Sequence, residues 1–116
     1  MKKPEVMYED FSKLDIRVGE VKNAVPVEGS NKLLHLTVDL GADYGTVTIR
    51  SGIAKYITAE KLIGNKYLFV ANLAPRMIMG VASQGMLLVT VEKKGEVEKL
   101  RFVKTAKSSM NGATLC

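Results

Sequence analysis

The chain reads as short strands separated by turn signals. Residues 14–22, LDIRVGEVK, alternate apolar Leu14, Ile16 and Val18 with polar Asp15 and Arg17. Gly19 interrupts that register before Val21 resumes the apolar pattern, which predicts a bulge or sharp bend inside the strand. Residues 33–40, LLHLTVDL, place Leu34, Leu36, Val38 and Leu40 on one face and His35, Thr37 and Asp39 on the other, a half-buried strand. GADYG (41–45) supplies turn residues, and TVTIRS (46–51) returns with Val47 and Ile49 against Thr48 and Arg50. The two segments together predict a hairpin.

The alternation then stops. GIAKYITAEKLIG (52–64) fits a short helix or two turns, with Thr58 as the cap of a turn starting at Ala59 and Gly64-Asn65 as its end. KYLFVA (66–71) and GMLLVTVE (85–92) are apolar on both faces, so both are expected deep in the sheet. KKGEVEKLRFVK (93–104) predicts a charged turn with a return strand, and MNGATLC (110–116) closes the chain. Three strands, a short helix, two more strands and an extension form an all-β pattern: a five-stranded OB-fold barrel with its helix between strands 3 and 4. SH3-like barrels are the main competitor, but they do not usually carry a helical segment there. The expected organisation is a single domain over residues 1–116, with 93–116 as a C-terminal extension.

Composition narrows the function classes. Lys plus Arg number 17 against 12 Asp plus Glu, a formal charge of +5, and the pI of about 9.4 lies in the range that flags nucleic-acid binding domains. Tryptophan is absent and aromatics are few, which argues against a broad aromatic stacking platform. The one cysteine, Cys116, allows neither an intrachain disulfide nor a cysteine zinc site, and a reducing compartment follows. The opening MKKPEVMYEDF has no apolar run behind its lysines, so a cytoplasmic location is expected. His35, the single histidine, has no acidic cluster at metal spacing. No phosphate-cradling GxxxxGK[ST] or GxGxxG loop and no nucleophile–base set is legible, so the expectation is no catalytic residue, no metal and no cofactor.

DFSKLDIRVGEV (10–21), NKLLHLTVDLG (31–41), SGIAKYI (51–57), ANLAPR (71–76) and SQGMLL (83–88), in that order, resemble the tRNA-binding domain family. That family includes the C-terminal module of methionyl-tRNA synthetases, free-standing tRNA-binding proteins, the proteins described as methionyl-tRNA synthetase beta subunits, and the endothelial monocyte-activating polypeptide domain. The resemblance covers residues 10–116. It implies an OB-fold whose C-terminal extension makes a homodimer, here through RFVK (101–104) and MNGATLC (110–116). It also implies shape-directed binding of tRNA around the elbow, no catalysis, and service in trans as an auxiliary (beta) subunit of methionyl-tRNA synthetase or of another aminoacyl-tRNA synthetase. No membrane partner is implied.

Lys32, Arg50 and Arg76 head the expected tRNA contacts. Lys32 stands at the start of the second strand, Arg50 lies on the polar face of the third, and Arg76 follows a proline that stiffens its loop. All three fall inside the matching blocks. Asn72, Ser83, Gln84 and Met86 form a second group, whose amides and hydroxyl can bond phosphate or 2′-hydroxyl oxygens. Met86 joins them on the family motif alone, because methionine ordinarily packs in a core. Two departures stand out. Met77-Ile78-Met79 follows Arg76 where many members carry more basic residues, and Ser30-Asn31 replaces a common Ala-Asp beside Lys32. The methionine-rich segment keeps a second class open, a dimeric peptide-binding secretion chaperone of the same fold superfamily. A subunit that tethers a synthetase without touching RNA is the third.

Overall fold

A computed structural model describes all residues, 1–116. Five strands form one antiparallel sheet: β1 (Ile16–Pro26), β2 (Leu34–Asp39), β3 (Thr46–Ser51), β4 (Lys66–Val70) and, after two short strands, β7 (Met86–Leu87). Their order is β3-β2-β1-β4-β7. The long β1 is shared by both halves of the barrel. Ile16 to Glu20 pair with β4, and Glu20 to Pro26 pair with β2. The helix α2 (Ala59–Leu62) lies between β3 and β4, with Thr58 at its N-cap position but without a side-chain capping bond. This is the OB arrangement that the element order predicted.

Strand alternation becomes burial as expected. Leu34, Leu36 and Val38 of β2 and Val47 and Ile49 of β3 point inward, where they meet Val21, Leu62, Tyr67 and Phe69. Burying a side chain of this size contributes about 1.5–3 kcal/mol. The irregularity in β1 is real, but its cause is divided. The register slips between Val21 and Asn23, leaving Lys22 as the extra residue. Gly19 serves another end: a Cβ there would lie 2.7 Å from the Phe69 ring and 2.8 Å from Leu40.

Two expectations are corrected. Residues 85–92 are not one deep strand. Met86–Leu87 pairs with β4, and the chain then leaves the barrel as β8 (Val89–Lys94), which pairs with β9 (Val97–Phe102) in a separate, largely exposed hairpin. The apolar residues of that stretch misled because Val91 faces solvent. The segment after Pro75 is also not a plain loop. It forms β5 (Arg76–Ile78) and β6 (Val81–Ser83), joined by Met79 and Gly80. Both connecting residues have positive φ, 49° and 80°, as a tight primed hairpin turn demands.

The C-terminal segment adds to the barrel through its backbone. Gly112 and Leu115 donate to the carbonyls of Val18 and Ile16, and Val18 donates to Ala113. Its apolar side chains stay outside, with Met110 78% exposed. Gly41 and Gly112 make this docking possible. A Cβ on Gly41 would sit 2.7 Å from the Gly112 Cα, and both residues have φ near +90°. Arg17 fastens the same edge. Its guanidinium binds both oxygens of Asp15 at 2.7 and 3.0 Å, reaches Asp43 at 2.9 Å, and lies over the Tyr44 ring. The Arg17 contact and the Tyr44 hydroxyl together hold the Asp15 carboxyl below its ordinary pKa. Before β1, the helix α1 (Tyr8–Ser12) buries none of its residues.

Candidate nucleic-acid interface

The barrel closes where β3 meets the segment entering β7. Gln84 donates its backbone N–H to the Thr48 carbonyl at 2.8 Å. Two residues along β3, the Arg50 N–H finds the hydroxyl oxygen of Ser83 instead, at 3.0 Å. Ser83 is buried, the one polar side chain in the core set. Gly85 follows with φ +92°, where a Cβ would strike the Val70 carbonyl oxygen at 2.7 Å. The SQG sequence is therefore the chemistry of the seam: an acceptor, a backbone donor and a turn that admits no side chain.

Arg50 extends from this seam across the polar face. Its Nε donates to Nδ1 of His35, its cross-strand neighbour on β2, at 3.0 Å. One terminal nitrogen donates to the carbonyls of Ile78 and Met79 at 3.1 and 3.2 Å. The arginine thus holds the tip of the β5–β6 hairpin against β3. An accepting Nδ1 places the His35 proton on Nε2.

Between β3, the hairpin and β7 lies a cavity of about 340 Å³. Ile49, Leu73, Ile78, Met86 and Leu87 form its apolar walls, and Arg50, Arg76, Ser51 and Ser83 bring polar groups to it. No carboxylate lines it. The chain has four arginines. Arg17 and Arg101 are paired with carboxylates, whereas Arg50 and Arg76 form no ion pair. Both unpaired guanidiniums border this cavity.

Four of the seven expected contact residues, Arg50, Arg76, Ser83 and Met86, meet at this cavity; Lys32, Asn72 and Gln84 do not line it. Lys32 is exposed in the loop before β2, and its carbonyl accepts from the Ala54 N–H. Asn72 is engaged at both ends: its oxygen accepts from the Asp15 N–H at 2.8 Å and its amide donates to the Lys13 carbonyl at 2.7 Å. Gln84 keeps its side chain exposed. Ser51, Leu73 and Gly85 belong to the cavity and carry no separate signal in sequence. Two other basic residues are already engaged. Lys66 is committed to the Ser109 carbonyl, and Arg17 to its carboxylates.

The uncompensated arginines stand at a cavity on the β3 face of an antiparallel OB barrel, a fold whose strand 2–3 face binds oligonucleotides and oligosaccharides. Residues 16–114 match the family model described as "Putative tRNA binding domain", and the chain belongs to that family. It is 44% identical over 110 residues, 95% of its length, to the methionine–tRNA ligase of Flavobacterium johnsoniae. It is 43% identical over 103 residues to that of Methanoculleus marisnigri, 89% of its length. The chain spans about 15% of each of these relatives. Among solved structures, a methionyl-tRNA synthetase related protein from Pyrococcus horikoshii superimposes with a TM-score of 0.87 at 34% identity, covering 98% of this chain and all of that one. The chaperone CsaA of Bacillus anthracis superimposes with a TM-score of 0.83 at 26% identity, covering 97% of this chain and all of that one. The domain is a tRNA-binding one, not a catalytic one.

Proposed function

We propose that this chain is a non-catalytic module that grips folded tRNA and acts in trans as an auxiliary subunit of methionyl-tRNA synthetase. The carrying observation is that the two arginines without acidic partners, Arg50 and Arg76, border one cavity free of carboxylates. A phosphate backbone is the ligand that such a surface favours, and folded RNA is held largely through shape and backbone contacts. Arg76 is the free contact. Arg50 both contacts RNA and holds the hairpin. Lys32 and Gln84 extend the surface, Met86 offers an apolar contact, and Ser83 and Asn72 position the backbone around it.

The functional unit in this reading is a single domain over 1–116, with 93–116 as the extension through which two copies pair. Pairing duplicates the basic surface. The test is a titration of mixed tRNA, duplex DNA and unstructured RNA at two salt concentrations, with size measurement of the free protein. tRNA should bind more tightly than either competitor, and the free protein should run as a dimer. Equal binding of all three would sink the tRNA reading.

One observation favours a second reading. Met86 lines the cavity with its side chain exposed, an adaptable apolar contact suited to unfolded peptide, and a chaperone shares the fold. Binding of an unfolded polypeptide with no binding of tRNA at low salt would select it.

A further inference from the structure

We infer that the cavity between β3, the β5–β6 hairpin and β7 takes a single unstacked nucleotide of the RNA, its base against Leu73 and Met86 and its phosphate at Arg76. The inference rests on the tRNA-binding reading and adds to it a requirement for an unpaired nucleotide. A surface that recognised backbone alone would need cations on an open face. This one has a pocket of about 340 Å³ behind them. That volume lies at the small end of ligand sites, which run from about 300 to 1,000 Å³. It suits one nucleotide rather than a stack of them.

The walls fit a base. Ile49, Ile78 and Leu87 are aliphatic, and the Met86 thioether is a favourable neighbour for an aromatic ring. Arg50 adds a guanidinium plane, one terminal nitrogen of which makes no hydrogen bond. Ser51 is among the lining residues, and its hydroxyl can bond a base edge. The mouth fits a phosphate, since Arg76 is exposed and unpaired. A peptide side chain would also fill the apolar part, but it would leave the exposed Arg76 guanidinium without an anion. A nucleotide satisfies both halves. A base inside a duplex cannot enter, because its faces are stacked and its edge is paired.

The test fills the pocket without touching its charges. Ala74 is exposed and lines the cavity, so Ala74→Leu adds bulk at the mouth. Wild type and Ala74→Leu are each titrated with mixed tRNA and with a fully paired RNA duplex. Loss of one base's burial against these aliphatic walls corresponds to about 10- to 150-fold. The variant should lose tRNA affinity by that factor and bind the duplex unchanged. Methyl spectra of methionine-labelled wild type give a second readout. Saturating tRNA should move the Met86 methyl upfield through the ring current of the base, and leave the exposed Met110 methyl in place. Unchanged tRNA affinity in Ala74→Leu, or a stationary Met86 methyl in the tRNA complex, overturns the pocket while the tRNA reading survives. Absence of tRNA binding by the wild type overturns both. If Ala74→Leu blocks an unfolded polypeptide and spares tRNA, the occupant is a peptide side chain and the inference fails.

Discussion

The Arg50 backbone N–H donates to the buried hydroxyl of Ser83, 3.0 Å away, at the seam that closes the barrel. A side chain does there what a neighbouring carbonyl does elsewhere in the sheet. The same hydroxyl fixes the path of β3 beneath the arginine whose head holds the hairpin. Ser83→Ala leaves a backbone donor without its partner, at a cost of about 1–3 kcal/mol. Chemical denaturation should show that loss, and amide exchange at Arg50 should accelerate. A variant with native stability and an unchanged Arg50 amide would remove the seam from the account.

Glycine substitutions should separate two environments. Gly85→Ala must move the Val70 carbonyl, 2.7 Å from the new Cβ, and must hold alanine at φ +92°. Gly52 has open space around it and no positive φ. The first change should cost about 1–3 kcal/mol or more, while Gly52→Ala should be neutral or stabilising by up to about 1 kcal/mol. Thermal unfolding of the pair decides this, and equal melting temperatures would contradict it.

Much of this was legible in the chain. Period-two alternation located β2 and β3 because each has one face in the core and one in water. The helix between β3 and β4 was legible from the loss of that alternation. β5–β6 was not, because a three-residue strand gives too little periodicity and Met79 is a poor signal for a positive φ. The break at Leu88 was hidden because apolar composition runs on into β8, whose side chains beyond Val89 face solvent. At the site, Arg50 and Arg76 were legible as basic residues in matching blocks. Their shared freedom from carboxylates was not, since it depends on Asp15, Asp43 and Glu92 being occupied with Arg17 and Arg101.

Met79 holds the tight turn with φ +49°, the one non-glycine residue in that region. Asparagine tolerates this conformation better. Met79→Asn should therefore raise stability by up to about 1 kcal/mol, with tRNA binding unaffected. A lower melting temperature would mean that the methionine side chain contributes contacts outweighing the strain.

The docked C-terminal segment should respond to acid. The Arg17 contact, then that of the Tyr44 hydroxyl, lower the Asp15 pKa. The Asn111 amide, then nearby Lys22, does the same for Glu20. A carboxylate with a depressed folded pKa contributes stability that is complete above its unfolded value, near 4, and is lost as pH falls through the folded value. Melting temperature should hold between pH 5 and 7 and fall below about pH 4. Asp15→Asn should flatten part of that fall. An acid profile identical to wild type would exclude Asp15 as a source.

The central claim is that uncompensated arginines at the β3 face hold tRNA through phosphates, and salt dependence measures it most directly. With about five phosphates neutralised, a fourfold rise in salt should weaken mixed-tRNA binding by roughly 10²–10³. Arg76→Ala should weaken binding similarly across tRNA species and reduce the log–log slope by about one. Binding that ignores salt, or an Arg76→Ala protein that binds tRNA with the wild-type affinity and slope, would contradict the account.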